Sequence, residues 1–279
     1  MPTDTAIIAG TRMRWQDHGH GPAVVLVHGI PTSPRLWRHV VPLVEGRALA
    51  WEMVGYGDSI AEGRGRDISV ARQADYLLAW LDHLGIHTAV LVGHDLGGGV
   101  LQIAATRAPE RFAGLVLTNS IAYDSWPIPS VKAMRALGPL FAHTPQPLFG
   151  ASLAALMLRG HDNRQHASEA LRLHLSPYRQ HGGAGAMARQ VQALDVQDTL
   201  AVAPQLTSLG IPARIVWGAA DQFQKVSYGE RLAADLDAPL DRISGGKHFT
   251  PEDNPDRIAA AINALTRDRP GDRSRLARE

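Results

Sequence analysis

The chain has 279 residues, and 45% of them are hydrophobic, which is enough for one large domain with a sizeable core. Its 28 basic and 27 acidic residues leave a formal net charge of +1, so the charge balance gives no reason to expect a nucleic-acid partner or an anionic membrane surface. The absence of cysteine excludes a thiolate nucleophile, a disulfide framework and a cysteine-ligated metal.

The N-terminal segment shows no targeting pattern. "MPTDTAIIAGTRMRW" has no basic stretch followed by a long apolar one, so we expect no signal peptide. No window approaches the roughly 18 uninterrupted apolar residues of a membrane-spanning helix. We therefore expect a cytoplasmic protein that acts on a small molecule and binds neither nucleic acid nor membrane. Its oligomeric state is not indicated.

Short apolar runs alternate with helical patterns along the first 120 residues. The spacing of apolar residues predicts a helix over Ser69–Ile86 with Ser69 as its N-cap, and another helix from Gly97 onward. Thr32–Val44 also has near-helical spacing. Strands are predicted at Ala23–Gly29, Arg47–Met53, Ala89–Asp95 and Ala113–Ser120. Continuous apolar strands that alternate with helices predict an α/β fold with a mostly parallel sheet, covered on both faces.

The pattern changes at Ile121, where a proline-rich stretch leads into helices over Ala151–Ala193 that "HGGAG" interrupts. A strand at Ile211–Gly218 resumes the α/β pattern, and a helix, a short strand in "LDRISGG" and a last helix at Pro255–Leu265 follow. We therefore expect an α/β core at 1–120 and 210–266, a helical insertion at 121–209, and a charged tail at 267–279.

Four polar motifs follow predicted strands. They are His28-Gly29-Ile30-Pro31, the turn at Asp95, the loop holding Asp221 and the loop holding His248. Because ligands bind at the carboxyl ends of parallel strands, we expect these motifs to meet. A carboxylate, an acid and a histidine in this chain order match the nucleophile–acid–base order of enzymes with a nucleophile elbow.

The motifs "HGIPTSPRLWR", "GYGDS", "GHDLGG", "WGAADQF" and "GGKHFTPED" resemble those of the aspartate-nucleophile branch of the α/β-hydrolase superfamily, over nearly the whole chain. That branch contains epoxide hydrolases, haloalkane dehalogenases and fluoroacetate dehalogenases. The resemblance implies an eight-stranded α/β-hydrolase fold with residues 121–209 as a helical cap domain.

The resemblance also implies a catalytic mechanism. Asp95 would attack an sp³ carbon and form an alkyl ester, which water activated by His248 and Asp221 would hydrolyse. The backbone N–H groups of Ile30 and Leu96 would form the oxyanion hole.

Residues near these motifs could be an alternative acid or have purely structural roles. Some relatives carry the acid after the strand that here ends in "LTNS", where Asn119 and, further on, Asp124 stand; we favour Asp221. His28 and His94 are expected to shape loops, and Gly97–Gly99 to allow close packing. The remaining histidines lack metal-ligand spacing, so we expect neither a metal nor a cofactor.

The leaving group is the open question. Typical haloalkane dehalogenases bind the halide through a tryptophan after the nucleophile and either an asparagine after His-Gly or a second tryptophan from the cap. Here Leu96 and Ile30 occupy the two places near the nucleophile and the His-Gly pair. Epoxide hydrolases use cap tyrosines as acids, and Tyr178 and then Tyr123 are our candidates, with Trp126 as another pocket candidate. The sequence thus slightly favours epoxide hydrolysis over dehalogenation, and a cyclase, a lyase or a non-catalytic ligand-binding protein remain alternatives.

Overall fold

The computed structural model describes residues 3–267. One sheet contains the strands β1 (Thr3–Ile8), β2 (Thr11–His18), β3 (Ala23–Val27), β4 (Arg47–Glu52), β5 (Ala89–Asp95), β6 (Phe112–Ser120), β7 (Ala213–Gly218) and β8 (Leu240–Ile243). Their order across the sheet is β1-β2-β4-β3-β5-β6-β7-β8. β2 pairs antiparallel with β1 and β4, and the other pairs are parallel. The predicted eight-stranded, mostly parallel sheet is confirmed.

The helices alternate with the strands of the core or lie between β6 and β7. They are α1 (Val70–His83), α2 (Leu96–Arg107), α3 (Pro129–Ala142), α4 (Gln146–Gly160), α5 (Arg164–Gln180), α6 (Gly183–Gln192), α7 (Gln197–Leu200), α8 (Val226–Asp235), α9 (Thr250–Asp253) and α10 (Pro255–Arg267). The predicted cap of α1 is confirmed, since the Ser69 hydroxyl accepts a backbone N–H of the first turn.

Apolar layers cover both faces of the sheet. All seven residues of β5 are buried, and successive side chains point to opposite faces. Leu91 belongs to a cluster with Leu77 of α1 and Val100 of α2. Its neighbour Val90 belongs to a second cluster, with Ile262 of α10. A strand buried on both sides explains the continuous apolar run that the sequence shows.

An N-terminal hairpin that the sequence analysis did not identify extends the sheet. β1 and β2 are joined by Ala9 and Gly10, whose φ angles of 47° and 74° match a two-residue hairpin turn. β2 buries Thr11, Met13 and Trp15, while the intervening residues are more exposed. This period of two is the signal that could have identified the strand.

The expected helical character of Thr32–Val44 is wrong in detail. The segment forms two short 3₁₀ turns, at Pro34–Trp37 and Val41–Leu43. Pro42 lacks the backbone N–H that a continuous α-helix would need at this place, so apolar spacing alone misrepresents the local structure.

The segment at 121–209, which we call the helical insertion, contains α3 to α7. Of the tail predicted for 267–279, only Arg267 lies within the described residues, as the end of α10. No helix within residues 3–267 is both long and apolar enough to cross a membrane.

Candidate active site

Asp95 lies on a sharp turn between β5 and α2. Its φ of 52° lies in the left-handed region, which non-glycine residues seldom adopt. A Cβ atom at Gly97 would collide with the carbonyl oxygen of Val27, and Cβ atoms at Gly98 and Gly99 would collide with neighbouring side chains. The glycines therefore permit close packing, as predicted, and the turn holds the Asp95 carboxylate at the carboxyl end of the sheet.

Two backbone donors converge on the Asp95 carboxylate. The N–H of Ile30 donates to its Oδ1 over 2.9 Å, and the N–H of Leu96 also hydrogen-bonds to it. Burial raises the pKa of Asp95 in spite of these two donors and the nearby His248. The structure thus brings the two predicted oxyanion-hole residues to the predicted nucleophile.

His248 lies between two carboxylates. Its Nε2 is 3.7 Å from Asp95 Oδ2, and its Nδ1 is 2.8 Å from Asp221 Oδ2. Burial alone would lower the pKa of His248, but the charge and hydrogen bond of Asp221 and the charge of Asp95 outweigh burial and raise it. Nδ1 therefore donates to Asp221, and Nε2 faces the side of Asp95 and the cavity.

Asp221 is held as an ionised carboxylate. Its Oδ1 accepts the backbone N–H of Phe223 over 2.7 Å, and its Oδ2 accepts Asn119 Nδ2 over 2.6 Å. Burial works to raise the pKa of Asp221, but these donors and the neighbouring histidine lower it. The alternative acid, Asp124, instead accepts the hydroxyl of Tyr228 and is exposed.

Two buried histidines, His28 and His94, form hydrogen bonds to backbone groups of neighbouring loops, as expected of residues that shape loops. His94 Nε2 donates to the carbonyl oxygen of His248 over 2.9 Å. His28 Nε2 accepts the backbone N–H of Met53 over 3.1 Å. Burial lowers the pKa of each to about 3, so both rings are neutral at pH 7.

The helical insertion is hydrogen-bonded to the loop that carries His248. The backbone N–H of His248 donates to the carbonyl oxygen of Gly160 over 2.9 Å. Glu252, four residues after His248, is fully buried and contacts three basic groups, namely those of Arg38, His161 and His174. Burial raises the pKa of Glu252, but these partners lower it well below its usual range. An ionised carboxylate therefore joins the insertion to the core beside the site.

A cavity of about 480 Å³ lies over the Asp95 carboxylate. Asp95, Leu96 and His248 line its base, and residues of the insertion, among them Leu153 and Met187, line its walls. Most lining side chains are apolar. An apolar cavity over a carboxylate and an imidazole suits a small apolar ligand.

Neither candidate tyrosine lies in the cavity wall. The Tyr178 hydroxyl is buried and donates to Gln190 Oε1 over 2.7 Å. The Tyr123 hydroxyl donates to Asp235 Oδ2 over 2.6 Å. Neither residue is among those that line the cavity. The geometry therefore gives no support to the expectation that one of these hydroxyls is the acid.

Trp126 does line the cavity, but its indole N–H faces elsewhere. Nε1 donates to Thr199 Oγ1 over 2.7 Å, so this donor is already engaged. Trp126 contributes an apolar surface to the cavity in this conformation.

Three polar residues of the site region had no role in the sequence-based prediction, although Asn119 was named there. Asn119 holds Asp221, Glu252 joins the insertion to the core, and the buried Gln224 lines the cavity. Asn119 lies at the carboxyl end of β6 and Gln224 in the loop after β7, positions that could have indicated a place near the site. Glu252 carried no local signal. Among residues 3–267, no cluster of His, Asp or Glu could hold a metal ion.

Comparison with known proteins agrees with the observed fold. A model of the family described as "alpha/beta hydrolase fold" matches residues 22–255. "Haloalkane dehalogenase 2" of Mycobacterium tuberculosis is 29% identical over 268 residues, which cover 90% of each chain. "Bifunctional epoxide hydrolase 2" of Sus scrofa is 33% identical over 135 residues, 47% of this chain and 24% of that protein.

A solved structure supports the same assignment. The "alpha/beta hydrolase fold protein from Burkholderia ambifaria" superposes with a TM-score of 0.86 at 26% identity, over 93% of this chain and 96% of that one. The chain therefore belongs to the α/β-hydrolase fold family, and it is a hydrolase related at low identity to haloalkane dehalogenases and epoxide hydrolases.

Proposed function

We propose that the protein hydrolyses a small apolar electrophile, an epoxide or an alkyl halide, through a covalent alkyl ester on Asp95. One observation carries the proposal: a buried carboxylate with two backbone donors on it faces both His248 and an apolar cavity. A carboxylate is a poor nucleophile for acyl transfer but a competent nucleophile at an sp³ carbon. The helical insertion would act as a cap that excludes water from this reaction.

In the first step, an Asp95 oxygen forms a bond to the substrate carbon while the bond to the leaving group breaks. Oδ1 is held by the N–H of Ile30, so Oδ2, on the side of His248, is the oxygen that attacks. Alkylation removes the negative charge of Asp95. Because that charge helps to keep the pKa of His248 high, its loss favours the neutral imidazole that the next step needs.

In the second step, His248 Nε2 takes a proton from water, and the hydroxide adds to Cγ of Asp95. The resulting oxyanion lies near the N–H groups of Ile30 and Leu96. Collapse of this intermediate breaks the ester bond, and the alkoxide takes the proton from His248. Asp221 keeps the imidazole oriented throughout.

The donors around the cavity favour a halide over an epoxide oxygen as leaving group. Epoxide opening produces an alkoxide, which needs an acid, and no tyrosine is among the residues that line the cavity within the described chain. The hydroxyl of Tyr56 is close enough to Asp95 to feel its charge, but burial and that charge raise its pKa, the opposite of what a proton donor needs. A halide leaves without a proton.

The test uses the variant His248→Gln, which cannot activate water. The purified variant is incubated with 1-bromobutane or styrene oxide, and its intact mass is measured. We expect a stable adduct of the substrate carbon skeleton, mapped to Asp95 by peptide mass spectrometry, and no adduct in the double variant with Asp95→Asn. In single turnovers of the wild type in heavy-oxygen water, the first product should carry an unlabelled oxygen from Asp95.

The outcomes separate the alternatives. Bromide release without diol formation identifies an alkyl-halide hydrolase, and the reverse result identifies an epoxide hydrolase. Saturable binding of apolar ligands, with no adduct and no turnover, would indicate that the protein is a non-catalytic ligand-binding protein. Turnover without any adduct on Asp95 would indicate a cyclase or lyase that uses the same cavity.

A further inference from the structure

Gln224 is a buried polar side chain that the mechanism above leaves without a role. It lines the cavity, and the residue is 2% exposed. Its Oε1 has no hydrogen-bond partner within residues 3–267. The residue's hydrogen bond within this part of the chain involves its backbone, whose carbonyl oxygen accepts Trp217 Nε1. No hydrogen bond of its Nε2 is found among residues 3–267 either, so both polar atoms of this buried carboxamide are left for a ligand, because an unpartnered buried polar group is costly.

The position of Gln224 ties it to the reacting groups. It ends the short loop that starts at Asp221 and contains Phe223, whose backbone N–H holds the Asp221 carboxylate. The Phe223 ring stands edge-on to the His248 imidazole, with the ring centroids 5.1 Å apart. The same loop thus orients His248 and places the side-chain amide of Gln224 at the wall of the cavity.

Other polar groups of the cavity are engaged or lie at its mouth. The indole N–H of Trp126 is bonded to Thr199 Oγ1. Ser130, Ser152 and Arg159 line the cavity from exposed positions on α3 and α4. The Nε2 of Gln224, for which no hydrogen bond is found among residues 3–267, is therefore a side-chain donor available to a ligand inside the cavity.

We propose that the side-chain amide of Gln224 receives the departing halide. The inference rests on the proposed alkylation of Asp95. As Asp95 Oδ2 bonds to carbon, the carbon–halogen bond breaks and its electron pair leaves with the halide, so no proton moves. The amide donates an N–H to the developing anion, and it cannot supply the proton that an alkoxide would need. Gln224 thereby selects organohalides over epoxides.

The first test replaces Gln224 with methionine, which has similar length but no donor. Gln222→Met is the matched control, because Gln222 lies in the same loop, is exposed and binds Arg159 instead of lining the cavity. Halide release in a single turnover is measured with 1-chlorobutane and 1-iodobutane. Q224M should slow release about 10- to 100-fold, more for chloride than for iodide, and Q222M should change it less than about twofold.

A loss of packing alone would slow both leaving groups equally, so an equal loss overturns the inference, as does an unchanged rate. Thermal melts and far-ultraviolet circular dichroism check that Q224M is folded. If it is not, Gln224→Glu, which keeps the length but replaces the donor by a charged acceptor, takes its place with the same expected ranking of the leaving groups.

The second test does not depend on turnover. In Asp95→Asn, whose neutral amide stands in for the alkylated carboxylate, bromide should quench tryptophan fluorescence saturably, because Trp126 lines the cavity. Adding Q224M should weaken this binding at least about tenfold, and adding Q222M should not. If no substrate alkylates Asp95, the proposed function fails and bromide binding still decides the role of Gln224. Bromide binding that Q224M leaves unchanged overturns that role.

Discussion

Replacing Asn119 with glycine should slow hydrolysis of the Asp95 ester without slowing its formation. Asn119 Nδ2 donates to Asp221 Oδ2 over 2.6 Å, and the residue has a φ of 42°. Glycine adopts this left-handed backbone without strain, so Asn119→Gly removes the side chain and keeps the turn. The variant tests whether Asn119 positions Asp221, which in turn orients His248.

Of the side-chain hydrogen bonds that the variant loses, the one to the Asp221 carboxylate sets the expected magnitude; others join Asn119 Oδ1 to the backbone N–H of Gly218 and the hydroxyl of Thr250. A hydrogen bond to a charged group contributes about 1.5 to 3 kcal/mol. If Asp221 transmits this loss to His248, hydrolysis of the ester slows about 10- to 150-fold, since about 1.4 kcal/mol corresponds to a factor of ten. Alkylation needs only Asp95 and the leaving-group donor, so its rate should change less than about twofold.

The assay is a burst experiment with 1-bromobutane. Wild-type protein and Asn119→Gly should release the first equivalent of bromide at similar rates, after which the variant becomes slow and its ester accumulates in the intact mass. Asp124→Asn is the matched control, because the exposed Asp124 bonds to Tyr228 and not to the site. Equal slowing of both phases, or slowing of neither, would refute the reasoning.

Three further changes test other parts of the site. Glu252→Gln removes a fully buried charge with basic partners and should lower the free energy of unfolding, measured in urea, by about 3 to 5 kcal/mol. The control Glu169→Gln, at a more exposed ion pair, should lower it by less than about 1 kcal/mol. In a histidine NMR titration, the pKa of His248 should lie above the ordinary value for histidine. It should fall in Asp95→Asn, because removal of a nearby negative charge disfavours the imidazolium. Equal pKa values in the two proteins would contradict the influence of Asp95 on His248. Ester hydrolysis should accordingly weaken as the pH falls and His248 becomes protonated. Tyr178→Phe should cost about 1 to 3 kcal/mol of stability through a lost buried hydrogen bond and leave turnover unchanged; a large loss with styrene oxide alone would instead identify its hydroxyl as an epoxide acid.

Local patterns determined most of the core. The strands that are buried on both faces, such as β5, have continuous apolar sequences, and the helix capped by Ser69 has one apolar face. The hairpin of β1 and β2 was missed because its strands are partly exposed and lack a continuous apolar run. The 3₁₀ turns near Pro42 differ from the expected helix because a proline removes one backbone donor.

The sequence also named the residues that the fold brings together. Asp95, Asp221 and His248 each follow a strand, and the carboxyl ends of parallel strands meet at one edge of the sheet. Their order along the chain was enough to suggest one cluster. Their proposed roles await the trapping experiment.

Only the tertiary structure decided which way the other polar side chains face. Tyr178, Trp126 and Gln224 all stand in sequence contexts that allow a donor in the cavity, and nothing local distinguishes them. The first two donate to Gln190 and Thr199, while Oε1 of Gln224, at the cavity wall, has no hydrogen-bond partner among residues 3–267. The sequence tells which side chains carry hydrogen-bond donors. Because a side chain's hydrogen bonds depend on residues distant in the chain, the packing of the insertion against the core decides which donor a substrate can contact.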